Sequence, residues 1–278
     1  MRHDEGYLDT SDGIRLYTQA WSPESDVKAV VCLVHGLGEH SGRYAHVAAY
    51  LADHGYALAG YDLRGHGKST GARGYAPSYD ALMEDIATHL ENARARYPGK
   101  LLFLYGHSLG GNQIINFALR HQPKVAGVIA TAPWLCLAFA PPAWQVALAK
   151  MMNSIYPAFT QASGLETAAL SQDEQVVKDY RNDPLVHDRI TARLYIASYQ
   201  SGNWALEHAS EFALPLLLMH GGADRLTSVE ATREFSQKAR ACCTLKIWEG
   251  FYHEIHNEPE QASVLKFMVD WLDQESIR

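Results

Sequence analysis

The chain has 278 residues, 47% of them apolar and 20% charged, with a formal net charge of -7. That is enough apolar material for a sizeable core and argues against disorder. The acidic balance, with no basic run, argues against nucleic acid as a partner. The segment "GYLDTSDGIRLYTQAW" reads as a hairpin turning at Asp12-Gly13. Six short apolar runs then follow: "AVVCLV" (29–34), "YALAGYD" (56–62), "LLFLY" (101–105), "VAGVIATA" (125–132), "LPLLLMH" (214–220) and "TLKIWE" (244–249). Continuous apolar runs of this length suit strands buried on both faces, as in a parallel sheet. Helical patterns fall between them at 78–97, 111–121 and 230–240. Strand alternating with helix predicts a doubly wound α/β fold in one domain. From about 134 to 190 the alternation breaks, and a mostly helical lid over the sheet is expected, with a helix starting at Pro141-Pro142.

The start "MRHDEGYLDTSDG" is polar and acidic, unlike a signal peptide, and no run of 18 apolar residues offers a membrane span. Cys32, Cys136, Cys242 and Cys243 form no CxxC pair, so reduced thiols in a cytoplasmic protein are the expectation.

"YGHSLGGN" (105–112) carries the strongest chemical signal. It is a Gly-x-Ser-x-Gly between an expected strand and an expected helix. Such a turn strains the serine, and small neighbours relieve the crowding. Ser108 is the candidate nucleophile, at a helix N-terminus where developing negative charge is favoured. A serine needs a base, and the base needs an orienting carboxylate, in the chain order Ser, acid, His. "LPLLLMHGGADRL" presents Asp224 after a strand, and "TLKIWEGFYHEIH" presents His253 after the next. His256, three residues on, is the rival base. The oxyanion needs two donors. The Leu109 N–H is one, and the Leu37 N–H in "HGLGEH" is the other candidate, with His35 bracing that loop. "GHGKST" resembles the end of a phosphate-binding loop, but Asp62 stands where a glycine is required. There is no HExxH and no GxGxxG at the first strand, so neither a metal nor a dinucleotide cofactor is expected.

With these pieces in place, the chain resembles the monoacylglycerol lipase and lysophospholipase branch of the α/β-hydrolases. The resemblance rests on "HGLGEHSGRY", "DLRGHGKSTG", "GHSLGG", "YRNDPL", "GGADRL" and "EGFYHEIHNEPE", which span nearly the whole chain. The lid matches least. The resemblance implies a cofactor-free serine hydrolase of single-chain lipid esters. It further implies a polar head-group pocket of Glu39, Arg43, His107, Tyr180 and His256. Glu39 and Arg43 could equally form an internal ion pair that holds their loop, and Tyr180 could simply pack under the lid. The lid is rich in Trp134, Leu135, Leu137, Phe139, Trp144, Val146, Leu148, Met151, Met152, Ile155 and Phe159. These either bury one another or line an acyl tunnel and touch a membrane transiently. A short-chain carboxylesterase, a peptidase and a non-catalytic binder of the same fold stay open as alternatives.

Overall fold

The computed structural model describes residues 1–277. In chain order the elements are β1 (Arg2–Asp9), β2 (Arg15–Ser22), β3 (Ala29–Val34), α1 (Ala45–Asp53), β4 (Tyr56–Tyr61), α2 (Tyr79–Arg96), β5 (Leu101–His107), α3 (Leu109–His121) and β6 (Gly127–Thr131). Then come α4 (Ala143–Ile155), β7 (Thr160–Ala162), α5 (Glu174–Asn182), β8 (Arg189–Thr191), α6 (Ala192–Glu207), β9 (Leu216–Gly221), α7 (Val229–Lys238), β10 (Cys243–Trp248) and α8 (Gln261–Ser276).

One sheet runs β1-β2-β4-β3-β5-β6-β9-β10. The hairpin β1–β2 and the β2–β4 pair are antiparallel, and every pair from β4 to β10 is parallel. The hairpin turns where Gly13 takes a φ of +84°. Strand β3 shows why the central runs are apolar throughout. Val30, Cys32 and Val34 point into one core layer, and Ala29, Val31 and Leu33 into the other. The first layer is closed by α2, α3, α6 and α7, the second by α1 and α8. Removing a fully buried side chain such as Leu104 or Leu58 would cost about 2–5 kcal/mol.

Four of the eight α-helices among the described residues, α2, α5, α6 and α7, start at a side chain that caps them. Ser78 accepts from Ala81 N at 3.1 Å, Thr191 from Leu194 N at 3.3 Å and Ser228 from Ala231 N at 3.1 Å. The segment between β6 and α6 is less uniformly helical than its sequence implies. It carries α4 and α5, but also β7 and β8, which pair antiparallel as a separate two-stranded sheet. Helix α4 begins at Ala143, with Pro142 as its N-cap, and none of its residues is buried. Trp134 and Leu135, by contrast, belong to the core rather than to the lid surface.

Candidate active site

The sheet brings the functional candidates to one edge. Leu37 follows β3, Ser108 follows β5, Asp224 follows β9 and His253 follows β10, all beyond the carboxyl ends of parallel strands. Open α/β sheets place ligands at that edge.

Ser108 turns between β5 and α3 with φ 54° and ψ -114°, a backbone conformation that L-residues rarely adopt. Serine at a helix start usually turns its hydroxyl back to cap the first turn. Here the side chain makes no cap hydrogen bond, so the strained turn leaves Oγ for chemistry. The flanking glycines are required by close approach. A Cβ on Gly106 would collide with the Gly110 carbonyl, and one on Gly110 with the Val34 carbonyl.

Asp224 is the most heavily bonded carboxylate of the site. Its Oδ1 accepts from Leu226 N at 2.7 Å and Thr227 N at 3.1 Å. Its Oδ2 accepts from His253 Nδ1 at 2.7 Å and His220 Nε2 at 3.0 Å, and lies 2.9 Å from Thr227 Oγ1. Burial alone would raise its pKa. His253 and His220 outweigh burial and hold it well below the usual carboxylate range. Burial likewise works to lower the pKa of His253, but the Asp224 charge and hydrogen bond reverse it, and the net direction is up. The Asp224 bond to Nδ1 leaves Nε2 as the ring nitrogen for Ser108. Ser108, His253 and Leu37 all line one cavity of about 500 Å³.

The "HGLGEH" loop is built to lie against Ser108, the candidate nucleophile. A Cβ on Gly36 would come within 3.3 Å of Ser108 Cβ. Gly36 N donates to Glu39 Oε1 at 2.6 Å, which leaves the next amide, Leu37 N–H, as the loop's candidate donor. The Leu109 N–H sits at the first position of α3 and has no acceptor within its own helix. His35 does brace this loop. Its Nε2 accepts from Leu63 N at 2.9 Å, so Nδ1–H donates to the Gly36 carbonyl at 2.8 Å. Asp62, three residues before "GHGKST", also serves as a brace, accepting from Ser41 N, Ser41 Oγ and Lys68 N.

The residues assigned to a head-group pocket gather beside the triad, but none of the five lines the cavity. Arg43 donates to Glu39 at 2.8 Å and in bidentate fashion to Glu254 at 2.6 and 2.7 Å. The internal ion pair is therefore formed, and Glu254 makes it a triad. The Tyr180 ring covers the Arg43 guanidinium at 4.7 Å. Burial would raise the Glu254 pKa, yet Arg43 holds it far below the carboxylate range. This triad ties the loop carrying His253 to the loop carrying Leu37. His107 lies 4.7 Å from the His253 ring and 4.9 Å from the His256 ring, and its Nδ1 meets Thr131 Oγ1 at 3.1 Å. His256 is fully buried and stacks on Tyr44 at 4.8 Å, away from the cavity, so it does not compete with His253 as the base.

Three residues of the site escaped the sequence reading: His220, Thr227 and Glu254. Each sits beside a motif that was read. Position alone does not separate them from ordinary neighbours.

The cavity's roof is apolar. Phe139, Trp144, Leu148, Met152 and Phe159 of the lid line it, together with Trp134. Residues 25–260 match the family described as Serine aminopeptidase, S33. The chain belongs to that family and is an α/β-hydrolase. It is 32% identical over 262 residues to the monoacylglycerol lipase of Mycolicibacterium smegmatis, covering 94% of this chain and 93% of that one. It is 33% identical over 270 residues to an uncharacterized abhydrolase domain-containing protein of Dictyostelium discoideum, 95% of this chain but only 28% of that longer protein. The solved structure of Paleococcus ferrophilus monoacylglycerol lipase superposes with a TM-score of 0.86 at 35% identity, covering 94% of this chain and 99% of that one.

Proposed function

We propose that this carboxylic ester hydrolase cleaves monoacylglycerols through an acyl-enzyme on Ser108. The observation that carries the proposal is the apolar-roofed cavity that Ser108 and the Asp224-held His253 both line. Its relatives named monoacylglycerol lipases support the same substrate class. In this scheme His253 Nε2 takes the Ser108 proton as Oγ attacks the ester carbonyl. Charge develops on the carbonyl oxygen, where the Leu37 and Leu109 amides meet it. The tetrahedral intermediate collapses, and His253 returns the proton to the departing glycerol oxygen. Water, activated by the same imidazole, then attacks the acyl-enzyme and releases the fatty acid. The acyl chain lies against Phe139, Trp144, Leu148 and Met152. On the alcohol side the nearest polar group of that set is the Tyr180 hydroxyl, which lies against Gly38, next to the cavity-lining Leu37, and which we assign to a glycerol hydroxyl.

The outer face of the lid supports transient contact with a lipid surface. Trp144 is 65% exposed and Ile155 71% exposed, with Met151, Tyr156 and Phe139 also open to solvent. Among the described residues no helix is long and apolar enough to cross a membrane. The free state of Cys32, Cys136, Cys242 and Cys243 supports a cytoplasmic setting.

The test is a side-by-side assay of monoacylglycerol, lysophosphatidylcholine, a short nitrophenyl ester and an aminoacyl nitroanilide, with Ser108→Ala and fluorophosphonate labelling as controls. Monoacylglycerol should be turned over fastest, and labelling should vanish in Ser108→Ala. Faster cleavage of the nitroanilide would replace the ester reading with a peptidase. Equal rates on all three esters would leave only a general esterase.

A further inference from the structure

His220 is the penultimate residue of β9 and is fully buried, yet it is no member of the triad. Its ring nitrogens each have a close partner, and Thr227 Oγ1 also lies 3.3 Å from Nε2. Nε2 lies 3.0 Å from Asp224 Oδ2, and Nδ1 lies 2.8 Å from Thr232 Oγ1 on α7. An ionised carboxylate only accepts, so Nε2 carries the proton and Nδ1 accepts from the Thr232 hydroxyl. Asp224 thereby fixes the tautomer, and the Thr232 hydroxyl satisfies the ring nitrogen that has no proton. The catalytic ring donates to that same oxygen from the other side, at 2.7 Å.

We propose that His220 is a positioning residue that shares Asp224 Oδ2 with His253, limiting how strongly the carboxylate favours a proton on the catalytic ring. The proposal rests on the serine-hydrolase reading above. A general base must be neutral to accept the Ser108 proton. An Asp224 that faced His253 alone would stabilise the imidazolium further and hold more of the enzyme in the inactive, protonated form. A second donor on Oδ2 draws off part of that attraction. Other groups also face His253. Glu254 and His256 come from its own segment, His107 from β5, and Glu39 with its partner Arg43 from the loop after β3. Substitution at His220 leaves all of these in place, so its effect is separable from theirs.

The experiment follows the acid limb of kcat/KM for nitrophenyl butyrate, and of the fluorophosphonate labelling rate, in three variants. In His220→Leu the limb should move up by about half a pH unit or more, because one charge-assisted hydrogen bond to Asp224 is gone. His220→Gln offers an amide N–H to the same oxygen, so its limb should return to that of the parent. Thr232→Val leaves Nδ1 without its donor, weakens the Nε2–H bond to Asp224 and should shift the limb in the same direction, by less. A fall in rate or in Tm with no movement of the limb in His220→Leu would reduce His220 to a packing residue and overturn the proposal. Equal shifts in the Leu and Gln variants would do the same. If His220→Leu does not fold, Thr232→Val decides, and an unmoved limb there counts against the proposal. If the parent is not labelled at Ser108, the serine-hydrolase reading fails on its own. Titration of His253 by nitrogen-15 NMR then still decides whether the two rings share Asp224.

Discussion

Replacing Asp224 by asparagine tests the triad with almost no change in shape. The two carboxylate oxygens of Asp224 have different company. Oδ1 faces two backbone amides, Leu226 N at 2.7 Å and Thr227 N at 3.1 Å. Oδ2 faces two imidazole nitrogens, at 2.7 and 3.0 Å. An asparagine has only one oxygen to offer. Backbone amides cannot turn or change tautomer, and leaving a buried donor unpaired costs about 1–3 kcal/mol. The asparagine oxygen therefore stays on the Oδ1 side, and its NH₂ faces the two histidines. His253 must then present a lone pair at Nδ1, which puts its proton on Nε2. In that tautomer it can no longer accept from Ser108. The expected loss is about 10⁴-fold in kcat, or about 5.5 kcal/mol of transition-state stabilisation, with KM little changed. The assay is kcat and KM on nitrophenyl butyrate across pH, with Tm alongside. A loss under tenfold, or one carried mainly by KM, would refute the tautomer argument and with it the role of Asp224.

Other expectations follow from the surroundings of the site. His89 and His256 are fully buried, and burial lowers their pKa values to about 4 and about 3. The unfolded chain binds protons there first, so stability should fall as pH drops from 6.5 towards 4.5, by up to about 2.5 kcal/mol for each ring. A urea midpoint that is flat over that range would show that these rings do not stay neutral in the folded state. Tyr180→Phe should cut kcat/KM for monoacylglycerol about tenfold more than for the methyl ester of the same acid, because the methyl ester presents no hydroxyl to the alcohol side. Equal losses would remove Tyr180 from substrate recognition. Met151→Asp with Ile155→Asp, both on the exposed side of α4 and outside the cavity lining, should weaken binding to phosphatidylcholine vesicles about tenfold or more while sparing a soluble ester. Unchanged vesicle binding would confine the lid's role to roofing the cavity.

The elements that sequence patterning recovered are those whose burial is one-sided or complete. Runs such as 29–34 and 101–105 lie between two helical layers, so every position is apolar and the strand shows itself. Helices α1, α5, α6 and α8 were not picked out, and two of them show why. In α5 only Val177 and Tyr180 are buried, too few to make a stripe. In α6 the face against the core is interrupted by Ser198, Ser201 and Gly202. Those small residues permit close approach. A Cβ on Gly202 would collide with the Leu135 carbonyl, and Asn116 donates to the Ser201 carbonyl at 3.1 Å. What reads as a broken pattern is a tight helix contact bonded through backbone.

The candidate site divides along a similar line. That Ser108, Asp224 and His253 come together at one sheet edge was legible because strand-end position, residue type and chain order each constrain them independently. Glu39 and Arg43 were legible as a pair but not in their use. Glu39 lies four positions from Arg43, whereas Glu254, the third member, lies 211 positions from Arg43. No local pattern can reveal a partner at that distance. The same holds for His220 and Thr232. They stand twelve residues apart on β9 and α7, and their joint effect on Asp224 exists only after the strand has paired and the helix has packed. The chemistry of the nucleophile is thus written locally, in a turn that few residues can adopt. The hydrogen-bond chain proposed to set the strength of its base runs from α7 through β9 to the loop after β10, and that chain is a property of the fold.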